Sequence, residues 1–326
     1  MKEVLTEKEN LMLVINGQQP QWIPSFQDAV GISRSIALGF KRDVATGYNV
    51  DAFGVEFETT ADGDVPAYSK TGRVRLEDIT QWRDVMPQID LSRIDWEAEA
   101  AEIRNVTVGE GRACNFIGAS IFEELHYMMG TEGAFEALLL EPEACYECMS
   151  AITDFWIDAY RREARYLKPE LVVLMDHVAT QNGMLLSPKL YRELIAPHNK
   201  RFFEAVRESG AIAQVHCDGY IEDILPDYAA MGVQMIQPFQ VYNDINAAKE
   251  KYGFIAVGGW DSFGRGNQKD STEEEIRQSV RLAMDTYGVG NRYVFWQSGV
   301  TPAFRRTQEI LEDEARIYGR KFFEKN

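Results

Sequence analysis

The chain has 326 residues, 45% hydrophobic and 26% charged, with a formal net charge of −17. That is enough apolar material for a full globular core, and no apolar run reaches the ~18 residues of a membrane helix. The acidic balance argues against nucleic acid and anionic membrane surfaces as partners. Four cysteines in this length do not make a disulfide framework. The first nine residues are charged throughout and lack the pattern of a secretory leader. The expectation is a reduced, cytoplasmic protein.

Eight short apolar segments read as strands: residues 21–26, 52–57, 113–119, 171–177, 212–218, 235–240, 254–261 and 293–299. Most are β-branched or aromatic-rich, as strands buried on both faces tend to be. Between them lie helical patterns with readable caps. Residues 135–166 are long enough for two helices. Ser187-Pro188 opens a helix at N-cap and N1 that runs to Gly210. A shorter helix over 220–231 leads into Gly232, and Thr272 with Glu275 spells a capping box. The alternation predicts βα units around a parallel sheet, and eight strands at this length favour a (β/α)8 TIM barrel in one domain over 1–326. No strand is followed by a glycine-rich phosphate loop. Residues 58–96 interrupt the alternation with turn-rich sequence (Ala61-Asp62-Gly63-Asp64, Lys70-Thr71-Gly72) and read as a lid or docking excursion.

In such barrels the chemistry sits at the C-terminal strand ends. Those ends carry Glu56 and Glu58, then Ser120, Phe122 and Glu123 with His126 beyond. Asp176-His177, His216-Cys217-Asp218, Phe239-Gln240, Trp260-Asp261 and Trp296-Gln297 follow. Side chains alternate across a strand, so His216 and Asp218 share a face. An imidazole and a carboxylate so placed can hold a metal, move a proton, or bond only to each other. The expected metal ligands are His216 and Asp218, with Glu56 or Asp261 completing the set and Asp176, His177, Glu58 and Gln297 as further candidates. The expected catalytic residues are His216, Asp218 and Asp176, the last favoured over His177 as pocket-facing. Phe57, Phe122, His126, His177, Phe239, Trp260, Trp296 and Gln297 are the expected substrate contacts. Cys217 falls on the opposite face and reads as a small buried hydrophobe. Cys145 and Cys148 read as a helical pair and Cys114 as core strand.

The order and spacing of several short pieces resemble the uroporphyrinogen decarboxylase superfamily over nearly the whole length. They are Pro20-Gln21-Trp22-Ile23-Pro24, Asp51-Ala52-Phe53-Gly54-Val55, Met175-Asp176-His177, Ser187-Pro188, His216-Cys217-Asp218-Gly219, Gly258-Gly259-Trp260-Asp261 and Thr301-Pro302. The resemblance implies the same barrel. True uroporphyrinogen decarboxylases carry an arginine-rich N-terminal motif, and residues 19–27 here contain no arginine. The chain therefore resembles the cobalamin-dependent methyltransferase branch more closely. Some of those proteins bind zinc through His-x-Cys and a later cysteine. Here His216 and Asp218 stand in the His-x-Cys places and no cysteine follows Cys217. The resemblance implies a demethylating methyltransferase for a small O-methyl substrate, methoxyaromatics included. Its cofactors would be zinc or another divalent metal and a corrinoid. The chain lacks a D-x-H-x-x-G signature, so a separate corrinoid protein is the expected partner. A lyase acting on a small carboxylic acid and a ligand-binding barrel without catalysis are the alternatives.

Overall fold

The computed structural model describes residues 5–39, 41–42, 49–59, 66–69, 74–299 and 305–324. The turn sequences 61–64 and 70–72, the side chain of Glu58, and Thr301-Pro302 lie outside the described part. In chain order, β1 (Val30–Arg34) is followed by a four-stranded antiparallel sheet of β2 (Lys41–Arg42), β3 (Asn49–Val50), β4 (Glu56–Thr59) and β5 (Pro66–Ser69). Next come β6 (Ala113–Ser120), β7 (Leu171–Met175), the hairpin β8 (Ala179–Thr180) and β9 (Gly183–Met184), and β10 (Ile212–His216). The last strands are β11 (Met235–Phe239), β12 (Ile255–Gly259) and β13 (Tyr293–Trp296). β1, β6, β7, β10, β11, β12 and β13 form one parallel sheet in that order. This is a TIM-barrel-like α/β fold, as the alternation predicted.

The helices are α1 (Glu7–Ile15), α2 (Phe26–Ala29), α3 (Trp96–Glu102), α4 (Phe122–Leu140), α5 (Pro142–Leu167), α6 (Pro188–Leu190), α7 (Ala196–Glu208), α8 (Leu225–Met231), α9 (Ile245–Tyr252), α10 (Glu273–Tyr287) and α11 (Arg305–Lys321). Local sequence sets their ends. Thr272 and Glu275 cap α10 reciprocally, Ser187 accepts from Leu190 N–H at 3.2 Å, and Gly232 ends α8 at φ 83°. None of the described helices is long and apolar enough to cross a membrane.

Two cores hold the sheet. Inside it, Val30, Ala113, Leu171, Met235, Ile255, Val257 and Val294 pack together, and Leu11 and Val14 of α1 join them from below. Outside it, the other faces of the strands pack on the helices through Phe116, Val172, Phe202 and Val215. Both faces are buried, so these strands read as near-continuous apolar runs.

The first two expected strands differ from the structure. Residues 21–26 give one parallel bridge, Ser25 to Phe295, and then turn into α2. The second stave is β1, paired with β6 from Val30–Ala113 to Arg34–Ile117. Gly31, Ser33 and Arg34 among its five residues hid it. Gly31 is required there, because a Cβ would stand 2.6 Å from the Val108 Cα. Residues 52–55 instead form a turn, and Glu56 and Phe57 open β4 of the antiparallel sheet. Phe53, Val55 and Phe57 are apolar because they enter the outer core. The described part of 58–96 packs along α4 and α5, with Arg75 and Leu76 N–H donating to the Met128 carbonyl and Ile79, Trp82 and Val85 buried.

Candidate functional site

Three parallel strand ends build one cluster. The pairing register sets His216 of β10 beside Met175 of β7 on one flank and Gln237 of β11 on the other. Past Met175 the alternation sends Asp176 to the helix side and brings His177 back to the mouth. Asp218 follows His216 by two residues and returns to the same face. His177, His216 and Asp218 offer ligand atoms that all lie within 4.8 Å of one another. His177 Nε2 is 3.1 Å and His216 Nε2 3.5 Å from Asp218 Oδ2, and the two imidazole rings meet at 4.9 Å, near edge-on. Gly219 makes the turn that carries Asp218 possible. Its φ is 96°, and a Cβ there would fall 2.4 Å from the Thr180 carbonyl oxygen.

Behind His177 stands Glu123, in the first turn of α4. Glu123 is buried and its Oε1 is hydrogen-bonded to His177 Nδ1. Ser120 Oγ donates to Glu123 Oε2 at 3.1 Å and Tyr127 OH to Oε1 at 3.5 Å. Burial disfavours charge on His177, yet the bonds to Asp218 and Glu123 outweigh it and hold the imidazolium up to about 10. Burial would raise Asp218 and Glu123, but Asp218 is held low by its bonds to His177 and His216, and Glu123 by its bond to His177. Without a ligand the cluster is thus an imidazolium between two carboxylates.

The same donors suit a metal. Two imidazole nitrogens and a carboxylate oxygen are a familiar set for a divalent ion such as zinc. Glu123 on Nδ1 fixes the ring and leaves Nε2 for coordination, the carboxylate–histidine–metal arrangement.

The mouth around the cluster is lined by Gln27, Gln240, Trp296 and Gln297. The Trp296 ring lies 6.2 Å from His216. Gln297 is 4% exposed, and neither its amide oxygen nor its nitrogen has a partner among the described residues. Buried amides without partners are uncommon, and this one borders the cavity that holds His216 and Asp218.

Several expected site residues lie elsewhere. Asp176, expected to face the pocket, is fully buried on the helix side, where Tyr191 OH, Asn199 Nδ2 and Tyr228 OH converge on its Oδ2 at 2.9 to 3.0 Å. Burial pushes its carboxyl up. Asp261 is exposed and accepts from the Phe263 amide, while Glu56 sits in β4. Neither joins the cluster of potential metal ligands formed by His177, His216 and Asp218. Trp260 donates to Ser279 of α10, Phe239 and Phe122 are core, and His126 is bonded to Thr131 at 2.8 Å. Phe57 packs edge-on against Tyr127 beside a neighbouring cavity. Cys217, Cys145, Cys148 and Cys114 are all buried. The reading of the sequence did not give Glu123 a role. The signal was the capping-box spacing of Ser120 and Glu123 at a strand-to-helix junction.

Residues 48–299 match the family model described as uroporphyrinogen decarboxylase (URO-D). The chain belongs to the uroporphyrinogen decarboxylase family. No curated protein matches it. Among solved structures, a methyltransferase from Methanosarcina mazei superposes with a TM-score of 0.63 at 14% identity, over 98% of this chain and 99% of that one. A 3-keto-D-glucoside 4-epimerase from E. coli covers 75% of this chain and 97% of its own at 9% identity. Its TM-score is 0.35.

Proposed function

We propose that this protein is a methyltransferase that takes a methyl group from a small O-methyl substrate and passes it to the Co(I) corrinoid of a separate protein. One observation carries the reading. His177, His216 and Asp218 converge at the mouth of the barrel with Glu123 bonded to the far nitrogen of His177. The likeness in fold to the Methanosarcina mazei methyltransferase, over nearly the full length of both chains, supports it.

The chemical problem is the leaving group. When the O–CH3 bond breaks, the methyl departs without the bonding pair and the oxygen keeps it, so an alkoxide or phenoxide must be stabilised. His177 would hold a proton at Nε2 for that oxygen, with Glu123 stabilising the imidazolium until transfer. With a divalent metal such as zinc held instead by His177 Nε2, His216 and Asp218, the metal would take the place of that proton and supply Lewis-acid stabilisation of the same oxygen. Trp296 and Gln297 would orient the substrate beside His216. We assign residues 58–96 the role of a lid or docking surface for the corrinoid protein, and place the reaction in the cytoplasm.

The test is metal content by plasma mass spectrometry, paired with methyl transfer from methoxylated compounds to Co(I) cobalamin followed by its absorbance. Near-stoichiometric metal that disappears in the His216→Ala, Asp218→Ala double variant, together with transfer, is the expected result. Folded protein that transfers no methyl group from any O-methyl donor would overturn the reading.

A further inference from the structure

Asp218 is the least enclosed member of the cluster. Its side chain is 46% exposed, against 31% for His177 and 18% for His216. His177 is seated by its bond to Glu123, and the backbone of His216 lies within β10. Asp218 stands two residues past the end of that strand, on a turn. A ligand on a loose turn has to be ordered when the metal arrives, and that ordering weakens binding.

The turn is not loose. The connection from β11 to α9, residues 240–244, grips it with side chains. Gln240 Oε1 accepts the Gly219 amide at 2.5 Å. Asn243 Nδ2 donates to the Gly219 carbonyl at 2.9 Å, and its Oδ1 accepts the Ile221 amide at 2.9 Å. The same Nδ2 donates to the Gln240 carbonyl at 3.0 Å, which ties the two gripping residues together. The Asp244 amide donates to Glu222 Oε1 at 2.6 Å, and the Tyr220 amide to the Thr180 carbonyl of β8 at 2.8 Å. The Gly219 N–H belongs to the peptide plane that begins at the Asp218 Cα. Gln240 therefore fixes the plane from which the carboxylate springs, and Asn243 fixes the next one.

Backbone groups of a turn at a cavity mouth can be satisfied by water. Here they are met by a glutamine that lines the mouth beside His216 and Asp218 and by an asparagine that is buried. We propose that Gln240 and Asn243 are positioning residues, which set the Asp218 carboxylate for a divalent metal shared with His177 and His216. The inference rests on the metal-binding part of the proposed function and not on methyl transfer. The two residues differ in what their loss costs. Removing the buried Asn243 strands three partners and weakens the fold as well. Gln240 stands at the mouth, so its replacement reports on placement with less cost to the fold.

Co(II) is the probe, with its affinity measured by chelator competition and its coordination by visible absorbance. Gln240→Met removes the acceptor at nearly constant volume. Gln240→Met and Asn243→Ala are each expected to weaken Co(II) about 10- to 100-fold and to change the absorbance of the bound ion. In an Asp218→Ala background, Gln240→Met should add nothing, because its effect runs through that carboxylate. Circular dichroism confirms that each variant folds. Folded Gln240→Met with wild-type affinity and absorbance overturns the proposal, and so does a loss of the same size with and without Asp218. A wild type that binds no Co(II) overturns the proposal together with the metal reading. Co(II) binding that depends on Gln240, in a protein that transfers no methyl group to Co(I) cobalamin, supports the positioning role and breaks the methyl-transfer reading alone. Co(II) binding and methyl transfer that are both indifferent to Gln240→Met overturn the positioning role alone.

Discussion

Asp176, just past β7, and Asp218, just past β10, are carboxylates on neighbouring strands whose surroundings differ in kind. Asp176 is enclosed on the helix side by three neutral donors, two tyrosine hydroxyls and an asparagine amide. Asp218 stands at the mouth between two imidazoles. Neutral donors hold a buried carboxyl in place without fixing its charge, so burial raises Asp176. The bonds from His177 and His216 favour the charged form, so Asp218 is held low despite its own burial. One carboxyl ties helices to the sheet. The other sets the field in which a substrate would react.

Removing each carboxylate separates the two roles. Asp218→Ala should lower metal affinity by more than about 100-fold, measured by chelator competition, with little change in melting temperature. Asp176→Ala should do the reverse. It strands three buried donors, so denaturant unfolding should show a loss of about 3 kcal/mol or more with metal binding retained. A variant of Asp176 that folds as stably as wild type yet binds no metal would break the division. Glu123→Gln sharpens it from the other side. The bond to His177 Nδ1 survives in shape but not in charge, and metal affinity should fall about 10- to 100-fold.

The smallest effect lies in the pH dependence, and the two sites should differ in sign. Asp176 has a native value above the unfolded one. Its stabilising contribution is full below the unfolded carboxylate value and is lost as pH rises through the raised native value. Asp218 has a native value below the unfolded one. Its contribution is present above the unfolded value and is lost as pH falls through the native one. Urea midpoints of Asp176→Asn and Asp218→Asn, each subtracted from wild type across pH in metal-free protein, should therefore slope in opposite directions. Parallel slopes would break the contrast.

The strands from β6 onward were legible because burial on both faces leaves long apolar runs. β1 was not, because Ile32 is 42% exposed on one face and Gly31, Ser33 and Arg34 leave Val30 as the strand's one buried aliphatic residue. Residues 52–57 misled because Phe53, Val55 and Phe57 are as apolar as a barrel strand while serving a turn and the start of β4. At the site, the two-residue spacing was enough to pair His216 with Asp218. Choosing between Asp176 and His177 needed the register that sets Met175 beside His216, and register is a property of two strands rather than one. Glu123 and the grip of Gln240 and Asn243 were illegible for the same reason: each owes its character to partners far away in sequence.

The joint between the first and last staves has a mechanical consequence. Among the described residues, the segment before α2 is joined to β13 through the Ser25–Phe295 bridge and the Phe295 amide, which donates to the Pro24 carbonyl at 2.9 Å. The ring of Phe26 braces Trp296 at 5.2 Å, and Trp296 in turn faces His216. A strand edge fastened by a single bridge breathes at that bridge, and the bridge lies one residue from a side chain that lines the mouth. Deuterium uptake at the Phe295 amide is therefore a gauge of occupancy: whatever settles on His216 and steadies Trp296 should slow the exchange there before it slows anywhere else in the sheet.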